Sequence, residues 1–293
     1  MADVHLTAAL RSNLLSLQGT QTLLNQSQLR LATGLKVNSA LDNPGSYFAA
    51  QSLNNRSSDL SNLLDGMGQA VQVLKAADEG IKAITSLMQQ AQAIATEAKD
   101  ALNADTAADV TSFNDAFGEI IHQVSELTKD SGYRGTNLLA GATSTADVQL
   151  TVNFAEDASG TGTTANSLLE ISGRDFSTTG YVGTDGLSLS VVGTATWANS
   201  TDAQSSIDQI KADLDVLRSA SAEFGANLNI IQTRLDFTQN LINVLKEGAD
   251  KLTVADKNEE GAKLLSLQTT QQLGITSLSL ASQAEQSILR LFG

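Results

Sequence analysis

LTAALRSNLLSLQGTQTLLNQSQLRLATGL, residues 6–35, is the stretch on which the fold turns. Leu10, Leu17, Leu24 and Leu31 recur at a spacing of seven, and Leu6, Leu14 and Leu35 widen the stripe to one helical face. Ser, Thr, Asn and Gln fill the gaps, with Arg11 and Arg30 the charges before Lys36. A seven-residue apolar repeat on a helix wants a partner helix. One helix of this length is marginal alone in water. The far end of the chain has the matching character. From Leu264 to Gly293 the only charges are Glu285 and Arg290, and Leu264, Leu267, Leu278, Ala281, Ile288 and Leu291 follow three-four steps. Both ends are therefore expected to pair with each other and with copies of themselves.

Between the ends the pattern stays helical. Gly34 weakens the first helix near its end, and Asp42-Asn43-Pro44 forces a break, with Asp42 or Asn43 as the cap of the next helix. From Pro44 a stripe through Leu53, Leu60, Met67, Leu74, Ile81, Met88, Ala95 and Leu102 predicts one very long helix, locally weakened at Gly66, Gly68 and Gly80. Asn103 to Thr106 reads as a turn, with Thr106 and Asp109 resembling a capping box. Val110, Phe113, Phe117, Ile120, Val124 and Leu127 predict another helix, stopped by Ser131-Gly132. Residues 133–200 turn to Gly, Thr, Ser and Asp. Alternations at 148–154 and 187–191 predict short strands that close on themselves, in an outward-facing insert not needed by the helices. Ile207, Ile210, Leu214, Leu217, Phe224, Leu228, Ile231, Leu235, Ile242 and Leu245 restore the helix over 201–247, with Ser221 and Thr238 as exceptions. Gly248, the charges of Asp256 to Glu260, and Gly261 read as a solvated hinge. The expected fold is mainly α. It is a long coiled-coil and helical-bundle rod formed by the two halves of the chain, with a small β-rich outer insert.

Composition narrows the function. The chain has 293 residues, 41% hydrophobic and 4% aromatic, with one proline, Pro44. Abundant Ala, Leu, Gln and Ser with so little Pro favours long helices. The net charge of −14 excludes nucleic acid as a partner and disfavours anionic membrane surfaces. No apolar run is long enough to span a bilayer, and no classical signal peptide is read at the N-terminus. Without cysteine there are no disulfides and no thiolate metal sites.

Five segments carry a family resemblance. SQLRLATGLKVNSALDNPGSYFAAQSL (27–53) and GMGQAVQVLKAADEGIKAI (66–84) resemble the N-terminal region of bacterial flagellins. GYRGTNLLAG (132–141) is similar to the family's segment after the helical hairpin, and ANLNIIQTRLDF (226–237) and QTTQQLGITSLSLASQAEQSILRLF (268–292) to its C-terminal helices. Pro44 is a departure, since the family's pattern there is rich in Asp and Ala. The resemblance implies a structural subunit that self-polymerises into the flagellar filament and is exported unfolded through the flagellar secretion channel. It implies an inner coiled-coil domain from 1–42 and 248–293, a helical rod domain from 43–140 and 201–247, and an outer insert at 141–200. The self-assembly seam would be Leu6, Leu10, Leu14, Leu17, Leu24, Leu31, Leu35, Leu264, Leu267, Leu278, Ile288 and Leu291, with Gln21, Gln28 and Gln271 favouring one register. Partners would be the chain itself, a flagellar export chaperone, and the cap and hook-junction proteins. In the family, an animal toll-like receptor reads a segment patterned Leu-Gln-Arg-Val-Arg-Glu-Leu-Ala. Registered on Met88 to Ala95, that segment becomes degenerate at Gln90, Gln92 and Ala93.

Rival classes find little support. His5 and His122 lie far apart, no zinc-peptidase, P-loop, Rossmann or hydrolase motif occurs, and no cofactor or metal is expected. Asp147, Glu156, Asp157 and Asp175 lack calcium-loop spacing and read as surface carboxylates. The Ser/Thr-rich 158–181 reads as a polar loop open to O-glycosylation. A hook–filament junction protein is the nearest alternative, and a secreted helical adhesin a more distant one.

Overall fold

The computed structural model describes residues 8–104, 107–140, 149–155, 167–176 and 197–292. Among these, five helices and one two-stranded sheet follow in the order α1 (Ala8–Thr33), α2 (Pro44–Asn103), α3 (Ala107–Asp130), β1 (Gln149–Asn153), β2 (Leu168–Ser172), α4 (Ser200–Thr253) and α5 (Lys257–Phe292). Leu6, the Thr106–Asp109 capping box and the 187–191 alternation fall outside the residues so described. The chain divides into two compact units, one of residues 1–57 with 243–293, the other of 58–242.

In the first unit α1 packs along α5. Helix α1 stops where Gly34 takes a φ of 73°, a left-handed conformation that glycine adopts without Cβ strain. The strand-like residues that follow are clasped to the end of α4. Lys36 N donates to Thr253 O at 2.7 Å, Val37 N to the same oxygen at 3.3 Å, and Ala255 N to Gly34 O at 2.9 Å. Leu35 and Val254 form the antiparallel bridge between them. Asp42 then folds the connection back, its carboxylate accepting from Asn38 N at 2.9 Å and Ser39 N at 3.1 Å. Those backbone donors hold its pKa below the ordinary carboxylate value. Asn43 caps α2, its Oδ1 accepting from Ser46 N at 3.1 Å, with Pro44 in the first turn.

Two expectations about the second hinge are corrected. Helix α4 does not end before Gly248 but runs through it to Thr253. A Cβ on Gly248 would lie 3.4 Å from Leu53 Cδ1, so the glycine is where α4 and the start of α2 come close. Asp256 to Glu259 are exposed as expected, but the segment opens α5 and is not a hinge, and Glu260 is not solvated. Asp256 caps α5, accepting from Asn258 N at 2.8 Å, Gly261 continues the helix, and Glu260 is buried.

In the second unit α2, α3 and α4 share one apolar core. Met67, Leu74, Ile84, Met88, Phe117, Val124, Ile210, Leu217 and Phe224 are fully buried in it. Two breaks in the apolar register, Ser221 and Gly80, have a polar partner or a close neighbour. Ser221 Oγ donates to Asp78 at 3.1 Å. A Cβ on Gly80 would sit 2.6 Å from Leu139 Cδ1, so α2 can approach the 131–139 segment only because residue 80 has none. That segment is a two-residue turn, with Arg134 and Gly135 both at positive φ (50° and 85°) and Tyr133 bridged to Thr136. Asn137 closes α3 by donating to Thr128 O at 2.7 Å.

The insert differs most from expectation. Strand β2 lies inside the stretch read as a polar loop, paired antiparallel to β1 from Gln149↔Ser172 to Asn153↔Leu168. The strands pair with each other as expected, but the hairpin is not separate from the helices. Val152, Phe154, Ile171 and Phe176 are buried in the helical core. Arg174 N and Phe176 N donate to Leu138 O (2.7 Å) and Leu139 O (2.9 Å), and the Arg234 guanidinium lies 5.2 Å from the Phe154 ring centroid. Trp197 is buried against Phe117, ring centroids 5.0 Å apart, and donates from Nε1 to Ser206 Oγ at 2.9 Å. Phe176→Ala should therefore destabilise the second unit by about 3–5 kcal/mol, measured by denaturant unfolding, while exposed Thr151→Ala stays within about 0.5 kcal/mol. For the clasp, Lys36→Pro removes the 2.7 Å donor and should cost about 1–3 kcal/mol. Hydrogen exchange should show the Val37 and Ala255 amides losing protection together.

Candidate functional site

The outward face of the α1–α5 pair is the candidate site. Its inner face shows why. Leu10 and Leu24 are buried, and Leu17, Leu264, Leu267 and Leu278 are half-buried. Leu35 is half-buried in the clasp. The helices come close where Gly274 faces Leu17, since a Cβ there would lie 2.6 Å from Leu17 Cδ2. Gln271 Nε2 donates to Gln21 Oε1 at 2.5 Å across the pair, whereas Gln28 is exposed. Leu14 and Leu31 are exposed, each at 40%. Ile288 and Leu291 lie on α5, with their side chains outside the described set.

Much of the seam read from sequence is thus used within one subunit, and a second set of apolar side chains faces out. Leu15 and Leu265 are each 67% exposed and Leu273 65%, joined by Leu23, Leu29, Ile275 and Leu280. The signal for them lies in the doubled leucines, Leu14-Leu15, Leu23-Leu24 and Leu264-Leu265. Consecutive residues on a helix point about 100° apart, so a doubled leucine serves two faces. Across this face charge is nearly absent: none lies between Arg11 and Arg30, and none between Lys263 and Glu285. On α4, Ile230, Phe237 and Val244 are also exposed at intervals of seven.

One charged group lies inside the pair. Glu260 is 7% exposed, and its carboxylate accepts from Ser27 Oγ at 2.5 Å and Arg30 Nη1 at 3.1 Å. The Ser27 hydrogen bond, opposed by burial and aided by Arg30 and Lys263, holds its pKa below the usual value. The receptor-related segment lies on α2 within the second unit. Gln90 and Ala93 are exposed and Gln92 half-buried, while Met88, Ala91 and Ala95 are buried. Among the described residues no group of three or more His, Asp or Glu side chains is placed to hold a metal ion, and no helix is long and apolar enough to cross a membrane.

An uncharged apolar face built from both chain ends suits a chain that binds its own copies, and comparison with known proteins agrees. Residues 5–144 match the bacterial flagellin N-terminal helical region, and residues 205–292 the bacterial flagellin C-terminal helical region. Flagellin FljK of Caulobacter vibrioides is 27% identical, over 94% of this chain and 93% of its own length. A flagellin of Brucella melitensis is 26% identical over 100% of this chain and 99% of its own, and flagellin C of Rhizobium meliloti 27% identical over the same shares. With both helical regions matched in order and relatives aligned end to end, the chain belongs to the bacterial flagellins, the structural subunits of the extracellular flagellar filament.

Proposed function

We propose that this flagellin polymerises with copies of itself through the outward face of α1 and α5. The observation that carries this is the row of exposed leucines on a face without charge, in a chain whose net charge is −14. Like-charged subunits meet at least cost where neither presents charge. On this reading 1–42 and 248–293 form the inner coiled-coil domain and 43–140 with 201–247 the helical rod domain, while 141–200 lies outermost. Leu6, Leu10, Leu14, Leu17, Leu24, Leu31, Leu35, Leu264, Leu267, Leu278, Ile288 and Leu291 build the seam, some within the subunit and some between subunits. The role is structural and not catalytic. Its further partners are a flagellar export chaperone and the cap and hook-junction proteins.

Polymerisation of the purified full-length chain tests this. Fully burying one leucine is worth roughly 1.5–3 kcal/mol. Leu273→Ser and Leu280→Ser should each raise the critical concentration by at least about tenfold and leave monomer helicity unchanged. Deleting 1–42 and 264–293 should give a soluble helical monomer, and filaments from it would refute the reading.

Recognition by the flagellin-detecting toll-like receptor of animals is proposed to be weak. Arg offers a charged bidentate fork that Gln90 and Gln92 cannot replace. A receptor reporter assay on monomer should give a response at least about tenfold higher for the triple variant Gln90→Arg, Gln92→Arg, Ala93→Glu. Its melting temperature should stay near that of the parent, since the buried stripe through Met88, Ala91 and Ala95 is untouched.

A further inference from the structure

Within the terminal pair, leucine contacts alone discriminate weakly between registers, although Leu17 against Gly274 and the exposed Gln21–Gln271 hydrogen bond favour the one observed. Leucine packs against leucine one turn along almost as well as in place, and polar groups buried in such seams are what fix register. Thr20, Ser27 and Glu260 are the buried polar side chains that the described part of the pair contains. Thr20 turns back to Ser16 O of its own helix at 2.9 Å and so ties nothing across the pair. Glu260 does cross. Its Oε2 accepts from Ser27 Oγ and its Oε1 from Arg30 Nη1, groups 233 and 230 residues away in the chain. Ser27 is 2% exposed and Glu260 7%. Sliding α5 by one turn, about 5.4 Å, would leave the carboxylate buried without either donor. Removing one partner of such a pair is far costlier than omitting the pair.

We infer that Glu260 is the positioning residue of the assembly core: with Ser27 and Arg30 it latches α5 to α1 in the one register that lines up the outward leucines of both helices. This rests on the reading that the outward face makes the filament contact. The latch sits next to the backbone clasp at 34–37 and 253–255, so a register set there propagates along both helices toward the chain ends. The charged groups acting on Glu260 are Arg30 from α1 and Lys263 from α5 itself. Both favour the carboxylate, and so does the Ser27 hydroxyl. The sign follows. A carboxyl with a depressed folded pKa holds the latch above the ordinary glutamic acid range and releases it as pH falls through the folded value.

The chain has no cysteine, so Gln21→Cys and Gln271→Cys, at the contact across the pair, can carry nitroxides without background. Spin–spin broadening between them reads the register, in full-length monomer and in filaments where labelled chain is diluted into unlabelled. At neutral pH, Glu260→Asp keeps the charge but withdraws it, and Glu260→Ala removes it. Both should lose the broadening and raise the critical concentration at least about tenfold. Glu260→Gln should keep part of the broadening and show no acid step, whereas the unsubstituted chain loses its broadening reversibly at acid pH. Variants that do not polymerise alone are read after doping into excess unsubstituted chain. Parental broadening in the Asp and Ala variants, or the same acid step in the Gln variant, would overturn the inference. Failure of the unsubstituted chain to polymerise would instead overturn the assembly reading, and the monomer broadening would still decide the latch.

Discussion

Everything in the first unit hangs on three backbone hydrogen bonds between the two linkers, from Lys36 and Val37 to Thr253 and from Ala255 to Gly34. Main-chain bonds are indifferent to side-chain identity but strict about position. They bring the end of α1 beside the start of α5, across most of the length of the chain, and leave the register along the pair to the side chains between them. The leucine stripes supply the energy of pairing, and the clasp supplies its origin. Gly34 makes the arrangement possible, since a left-handed residue is needed to turn the chain out of α1 into the strand-like segment.

The second unit solves a different problem. Its helices are long and carry many small core residues, such as Ala77, Ala91, Ala95 and Ala98. Small residues let helices approach closely but leave little bulk to exclude water. Phe154, Phe176 and Trp197, contributed by the insert and the residues just before α4, provide some of that bulk. The insert is thus partly a plug for the helical core and not only an attachment to it.

How much of this was legible depended on the range of the signal. The α1, α2, α3 and α4 patterns, the cap at Asn43 and the stop after Asp130 were readable because three-four periodicity and capping chemistry act within a few residues. Gly248 was misread as a hinge because its reason, the nearby Leu53, lies on another helix. Glu260 was misread as solvated because its partners Ser27 and Arg30 are at the opposite end of the sequence. Strand β2 was missed because LLEIS does not alternate as 148–154 does, and its partner β1 lies outside its local sequence. The leucine seam was legible as a set, but its division into inward and outward members was not. Only the partner helix decides which of two adjacent leucines is covered.

That division has a consequence for how the terminal helices can vary. Substituting one residue of α1 changes one contact. Inserting or deleting one rotates everything beyond it by about 100°: a deletion ahead of both pairs would bring Leu15 to the place of Leu14 and buried Leu24 to that of exposed Leu23. Helicity would survive, and so would the amino-acid composition. The covered and uncovered faces would trade members, and the clasp would hold the error in place. Length, more than the identity of any one side chain, is what the paired ends of this chain must conserve.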